Sequence, residues 1–120
     1  MTLIHTPLIA LLSRALDVTA ERQMLVSQNI ANIDTPGYHT RDLDFRQELQ
    51  RATMEDQLVA AEPFVREVPG LIERPDGNNV SIDRESLLMA QNQLQFQTEV
   101  AVLRSEFNRL QLAITGGNSQ

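Results

Sequence analysis

A chain of 120 residues has room for one small unit and not for two substantial cores. Apolar residues make up 42% of it but aromatics only 4%, with no Trp and one Tyr, so any core is aliphatic and narrow, which suits long helices better than a sandwich. The formal charge of −6 argues against nucleic acid and against direct lipid binding, and the absence of Cys excludes a disulfide framework, a thiol nucleophile and a thiolate metal site.

The charge is unevenly placed. Residues 1–41 carry Arg14, Arg22 and Arg41 against Asp17, Glu21 and Asp34, and residues 86–120 carry Arg104 and Arg109 against Glu99 and Glu106, so both ends are neutral. All the net charge lies between Asp42 and Glu85, where eleven acidic residues face five Arg. The opening residues lack a basic segment and are interrupted by His5 and Pro7, a poor match to a cleavable secretory signal, and no apolar run approaches the ~18 residues of a membrane span.

In chain order, Thr6 is a candidate N-cap and Pro7 suits a first helical turn, where its missing N–H costs nothing. Ile9, Leu12, Leu16, Thr19, Gln23, Val26, Ile30 and Ile33 then follow at alternating intervals of three and four, a heptad seam with two polar interruptions. The spacing predicts a helix over 7–33, of which a ~25-residue stretch would be ~37 Å long. Asn32 and Asp34 compete for local backbone hydrogen bonds, and Thr35, before a proline, is pushed out of the helical region, so the helix should stop near Asn32–Asp34. In Thr35-Pro36-Gly37-Tyr38, Pro at the second position and Gly at the third favour a type II turn, within a turn segment over 34–44.

Asp42 to about Leu58 carries Phe45, Leu49 and Ala52 at helical spacing, so the middle region, 45–80, should contain a short helix, with Asp44 as its candidate cap. Pro63, Pro69, Pro75, Gly70 and Gly77 then cut the chain into short pieces. Two readings stand for this acidic segment: extended pieces such as Phe64–Val68 pairing as a small hairpin, or a loop that orders only on a partner.

Asp76-Gly77 is a turn signal, and Ser81 and Asp83 are candidate caps for a second long helix over 81–115 that Gly116-Gly117 ends. Its seam runs Ile82, Ser86, Met89, Gln93, Phe96, Val100, Leu103, Phe107, Leu110 and Ile114. The expected fold of the single unit is mainly all-α: two long terminal helices packed as an antiparallel coiled-coil hairpin, Ile33 near Ile82, around an irregular or small β-hairpin middle. Gln23–Ile33 and the thirteen residues Ser86–Thr98 carry no charge, which is unusual for a solvated face and predicts enclosure on more than one side. One hairpin cannot supply that enclosure, so the stripes are read as shared packing among chains. The seam residues singled out are Leu12, Leu16, Val26, Ile33, Met89, Phe96, Val100, Leu103, Phe107 and Leu110.

Catalysis has no visible constellation. His5 and His39 lack acidic partners at metal-ligand spacing, Asp42 and Asp44 beside Arg41 and Arg46 read as ion pairs or a helix cap, and no phosphate loop or nucleophile elbow is present, so no enzyme activity, cofactor or metal is expected.

The string Asn29-Ile30-Ala31-Asn32-Ile33-Asp34-Thr35-Pro36-Gly37-Tyr38, followed by Arg41-Asp42-Leu43-Asp44-Phe45, resembles the corresponding segment of the bacterial flagellar axial proteins, and Pro36 with the Arg-Asp-x-Asp-Phe continuation resembles the proximal rod proteins among them most. Ala15-Leu16 with Arg22-Gln23 is similar to that family's first helix, and Asp76-Gly77-Asn78-Asn79-Val80 leading to Asp83-Arg84-Glu85, then Gln91-Asn92-Gln93-Leu94 with Phe96, to its last. His39-Thr40 departs from it, since relatives often carry Lys-Ala there. The resemblance implies an assembly motif of Asn29, Ile30, Ala31, Asn32, Thr35, Pro36, Gly37, Tyr38, Arg41, Asp42, Asp44 and Phe45. It also implies a structural subunit of the periplasm-spanning rod that transmits torque from the MS ring to the distal rod and hook. Such a subunit would leave the cytoplasm through the flagellar type III export apparatus without signal cleavage. Its implied partners are its own copies, other rod proteins, the adaptor FliE and the MS-ring protein. Another rod component, or a cytoplasmic coiled-coil adaptor, is the alternative.

Overall fold

The computed structural model describes residues 6–54 and 62–116. Among them the order is α1 (Pro7–Ala31), β1 (Arg41–Leu43), α2 (Phe45–Met54), β2 (Val65–Glu67) and α3 (Ile82–Gly116). The expected continuation of α2 to Leu58, residues 59–61, His5 and Gly117 lie outside the described residues.

α1 begins as its sequence dictates. The Thr6 hydroxyl accepts from Ile9 N at 3.2 Å, and Pro7 occupies the first turn. After 25 residues it ends at Ala31, with Asn32 at the C-cap, two residues short of the predicted Ile33 because the Asn32 side chain turns back to Gln28 O at 2.8 Å. The Pro-Gly turn closes as predicted: Tyr38 N donates to Thr35 O at 3.2 Å, and Gly37 takes φ +76°, open to glycine without the Cβ clash other residues meet.

Asp44 caps α2, accepting from Gln47 N at 3.0 Å, as its position suggested. The extended piece after Pro63 does not fold back on itself as a hairpin. β2 pairs antiparallel with β1, Arg41 opposite Glu67 and Leu43 opposite Val65, so a segment from the middle of the chain is stitched to the residues just after the first turn.

α3 runs 35 residues, ~52 Å. Ser81 caps it, its hydroxyl accepting from Arg84 N at 3.3 Å, while Asp83 and Glu85 sit in the first turn, where the helix dipole favours anions. It packs antiparallel on α1, with Asn29 opposite Glu85, Gln23 opposite Asn92 and Thr19 opposite Glu99. That register agrees with the predicted meeting of Ile33 and Ile82. The core is narrow and aliphatic, as composition required: Val18, Leu25 and Leu43, with Phe45 packed against them.

The line along which α3 meets α1 is displaced from the predicted seam. The buried positions of α3 are Glu85, Leu88, Asn92, Glu99 and Glu106, one residue ahead of the apolar series, so Ile82, Met89, Phe96, Phe107 and Ile114 face outward. Opposite that line α1 presents Thr19, Gln23 and Asn29, which Glu99, Asn92 and Glu85 can satisfy by hydrogen bonds and Met89 or Phe96 could not.

Candidate assembly site

The two turn-forming strings of the sequence dock on each other. Gly37 N donates to Asp76 O at 2.9 Å, Asn79 N to Tyr38 O at 3.3 Å, and Thr40 N to the Asn79 side chain at 2.7 Å. Gly77 lies against Gly37, where a Cβ would stand 3.4 Å from Gly37 Cα, an ordinary contact; it is the left-handed φ of +84° that calls for glycine there. Asn78, wholly buried, holds the turn that follows α1: its amide donates to Asn32 O and Thr35 O, both at 2.8 Å, and its oxygen accepts from Val80 N. Arg74 reaches over the same end to Ile33 O and to Val80 O. The carbonyls of the last turn of α1 are met locally, Gln28 O and Asn29 O by Asn32 N and Ile30 O by Ile33 N, whereas those of the turn that follows are met from forty-odd residues away in sequence.

Asn29, 1% exposed, holds three elements at once. Its amide donates to Arg41 O at 2.9 Å and to Glu85 Oε2 at 3.1 Å, and its oxygen accepts from Arg41 N at 3.1 Å and from the Tyr38 hydroxyl at 2.9 Å. Burial pushes the Tyr38 hydroxyl above its ordinary pKa, with Arg41 lowering and Glu85 raising it, so it stays a donor at neutral pH. Glu85, completely buried, is paired by Arg84 at 2.7 Å. Arg84 also donates to Asp42 at 2.8 Å, and Arg22 grips the same carboxylate through two contacts of 2.9 and 3.0 Å. Burial pushes Asp42 up, but Arg22, the Leu43 amide and Arg84 together outweigh it and hold the carboxyl below the usual range.

The remaining motif residues take supporting places. Thr35 donates to the Asn32 side chain at 3.1 Å, Pro36 and Ala31 are exposed, Ile30 is half-buried, Asp44 caps α2 and lies 3.7 Å from Arg66, and Phe45 lines the core. His39 lies between Glu67 at 3.2 Å and Glu73 at 2.8 Å, contacts that are ion pairs when its ring is protonated. Its pKa is raised, first by the Glu67 hydrogen bond. Among the described residues no group of three or more His, Cys, Asp or Glu side chains could hold a metal ion, and no helix is long and apolar enough to cross a membrane.

Of the seam residues, Val26 is buried, Leu12, Leu16, Ile33, Val100, Leu103 and Leu110 are half-buried, and Met89, Phe96 and Phe107 stand out into solvent, Phe96 at 46%. A groove of about 440 Å³ between α1 and α3 is lined by Ala20, Met89 and Phe96 together with Thr19, Gln23, Asn92 and Gln93. Sequence reasoning missed Asn78, Arg84 and Glu85 as partners of the first motif. The signal was present, since an Asp-Gly-Asn-Asn string is a turn with spare amides, but nothing local says which backbone those amides meet.

A helical hairpin tied at one end, with apolar side chains of its longest helix turned outward, is the form of a structural subunit. Residues 10–39, α1 with the Pro-Gly turn, match the family model described as flagella basal body rod protein. The chain is 32% identical to the flagellar basal body rod protein FlgB of Salmonella typhimurium, over 87% of this chain and 90% of the relative. It is 33% identical to that of Escherichia coli K12 over the same shares, and 32% identical to that of Bacillus subtilis 168 over 88% and 92%. The chain belongs to the FlgB family of flagellar basal body rod proteins.

Proposed function

We propose that this protein is a non-catalytic structural subunit of the proximal flagellar rod, whose long helices pack against those of its own copies and of other rod proteins and so carry torque from the MS ring towards the distal rod and hook. The observation that carries this reading is the outward apolar series of α3, Met89, Phe96 and Phe107, on a helix whose charge-free stretch Ser86–Thr98 offers no ionic reason to stay in water. Burying such side chains is worth ~25 cal/mol per Å² of apolar surface, and the hairpin alone leaves that gain unrealised. Contacts with FliE and the MS ring, and passage through the type III export apparatus without signal cleavage, follow from the family resemblance.

Deleting the gene should leave cells without flagellar structures beyond the MS ring, and normal motility in the deletion strain would end the reading. Ile30→Asp or Gly37→Val, supplied to that strain, should be expressed and fail to restore swimming. Motile cells carrying either substitution would contradict the assembly role of the motif.

A further inference from the structure

Five acidic side chains among the described residues are buried, and four of them have a guanidinium. Asp42 has Arg22 and Arg84, Glu48 has Arg51 and Arg14, Glu85 has Arg84, and Glu106 has Arg109 at 2.8 Å. Glu99, 8% exposed, is the exception. Its carboxylate accepts from the Thr19 hydroxyl at 2.8 and 3.0 Å and from the Gln95 amide at 3.0 Å, and both donors are neutral. A carboxylate taken this far out of water keeps an uncompensated charge unless a cation reaches it.

The complementary group lies on the same helix. Arg104 is exposed and has no ion-pair partner among the described residues. Five residues separate it from Glu99, so at ~3.6 residues per turn the two point ~140° apart and cannot pair within one helix, yet they differ by only ~7.5 Å in height. Among the described residues Arg41, Arg46 and Arg74 also have no carboxylate partner, but the backbone of Arg41 is held by Asn29 at the tied end, Arg74 donates to the Ile33 and Val80 carbonyls, and Arg46, on α2, makes no ion pair with Glu99. Exposed anions such as Asp17 and Asp83 are solvated and need no partner; Glu99 is not.

We propose that Arg104 of one copy docks on Glu99 of the next, so that two side chains on different faces of α3 form a single heterologous contact between second copies of this chain. The inference rests on the rod reading above and adds to it a defined pair and a direction. Residue i meeting j without j meeting i is the geometry that repeats around an axis and does not close as a two-fold dimer. The small axial offset gives neighbouring copies a stagger of about one and a half turns of helix.

The test uses the full-length chain in the deletion strain. Arg104→Glu sets two carboxylates against each other and should abolish swimming. Adding Glu99→Gln, which keeps an oxygen to accept from Thr19 and an amide beside Gln95, should restore part of it, with circular dichroism of both purified variants unchanged. Coupling of about tenfold in swimming rate between the two positions, where independent sites would give none, is the expected result. The chain has no Cys, so copies carrying Glu99→Cys and copies carrying Arg104→Cys can be co-expressed with different tags and joined in isolated basal bodies by a flexible bis-maleimide. A mixed 99–104 product, absent when either variant is present alone, supports the pair. Rods that assemble and yield no mixed product, or an Arg104→Glu defect that Glu99→Gln does not relieve, overturn it. If the chain is missing from basal bodies altogether, it is the rod reading that falls.

Discussion

Between Asn29 and Glu85 the two long helices are joined through a connected set of polar groups, the buried Asp42, Glu85 and Asn29 with the half-buried Arg22, Arg84 and Tyr38, each satisfied by another. Beyond Glu99, α3 has a single buried position, Glu106, and its apolar side chains Phe107, Leu112 and Ile114 lie open, although α1 stays buried there at Ile9, Ala10, Arg14, Ala15 and Val18. The tied end derives its order from hydrogen bonds made within the chain, whereas the far end of α3 keeps apolar surface that the described residues leave uncovered. A polar network is all-or-none, since one missing partner strands the others, whereas an apolar stripe can wait in water at moderate cost.

The comparison breaks most sharply at Asp42. Asp42→Ala leaves Arg22 and Arg84 facing each other without the carboxylate between them, and should cost ~3 kcal/mol or more in denaturant unfolding of the purified chain. A loss below ~1 kcal/mol would show that the tied end is not the stable end. A smaller effect is expected of Gly77→Val, ~1–2 kcal/mol from the left-handed backbone, read as a lowered Tm.

Phe107→Asp should change the stability of the isolated chain by no more than ~0.5 kcal/mol, because the side chain is 41% exposed, while stopping assembly if the proposed rod packing uses it. The same contrast should be visible without mutation: amides of residues 100–116 exchanging quickly, those of 85–92 slowly, and dilute protein showing less helix than the 25 and 35 residues of α1 and α3. Uniform protection along α3 would erase the distinction.

The smallest effect concerns pH at His39. Its folded pKa is raised above 6.5 by Glu67 and Glu73, so its contribution is complete below pH ~6.5 and is lost as pH rises through the folded value. With neutral imidazole only one ring nitrogen keeps a proton, and one of the two carboxylates loses its donor. A slight loss of β1–β2 protection on raising pH from 6 to 8, absent in His39→Gln, is the expected readout. Asp42 has the opposite sign: its contribution is present above pH ~3.8 and lost as pH falls through its lowered folded value.

Much of this was legible in the sequence. Caps and breakers act over three or four residues, so Thr6, Pro7, Asp44, Ser81 and the Pro36-Gly37 turn could be placed from local chemistry, and the 3.6-residue period gave both long helices and their antiparallel pairing. Which side of α3 meets α1 was not legible in this way. Apolar periodicity marks where a helix would rather not face water, but it does not say whether the cover comes from its own chain, and here Thr19, Gln23 and Asn29 drew the neighbouring polar line instead. The pairing of β2 with β1 and the reach of Asn78 to Asn32 join residues 22 or more apart, and no local propensity encodes a partner at that range.

The way the turn after α1 is held has a consequence for the chain as it is synthesised. Its carbonyls at Asn32, Ile33 and Thr35 are met by Asn78 and Arg74, and its backbone at Gly37 and Tyr38 by Asp76 and Asn79. A polypeptide made amino end first therefore cannot lock that turn until the greater part of its length has emerged. The fold carries its own delay, which keeps the leading segment pliant for as long as the rest is still on the way.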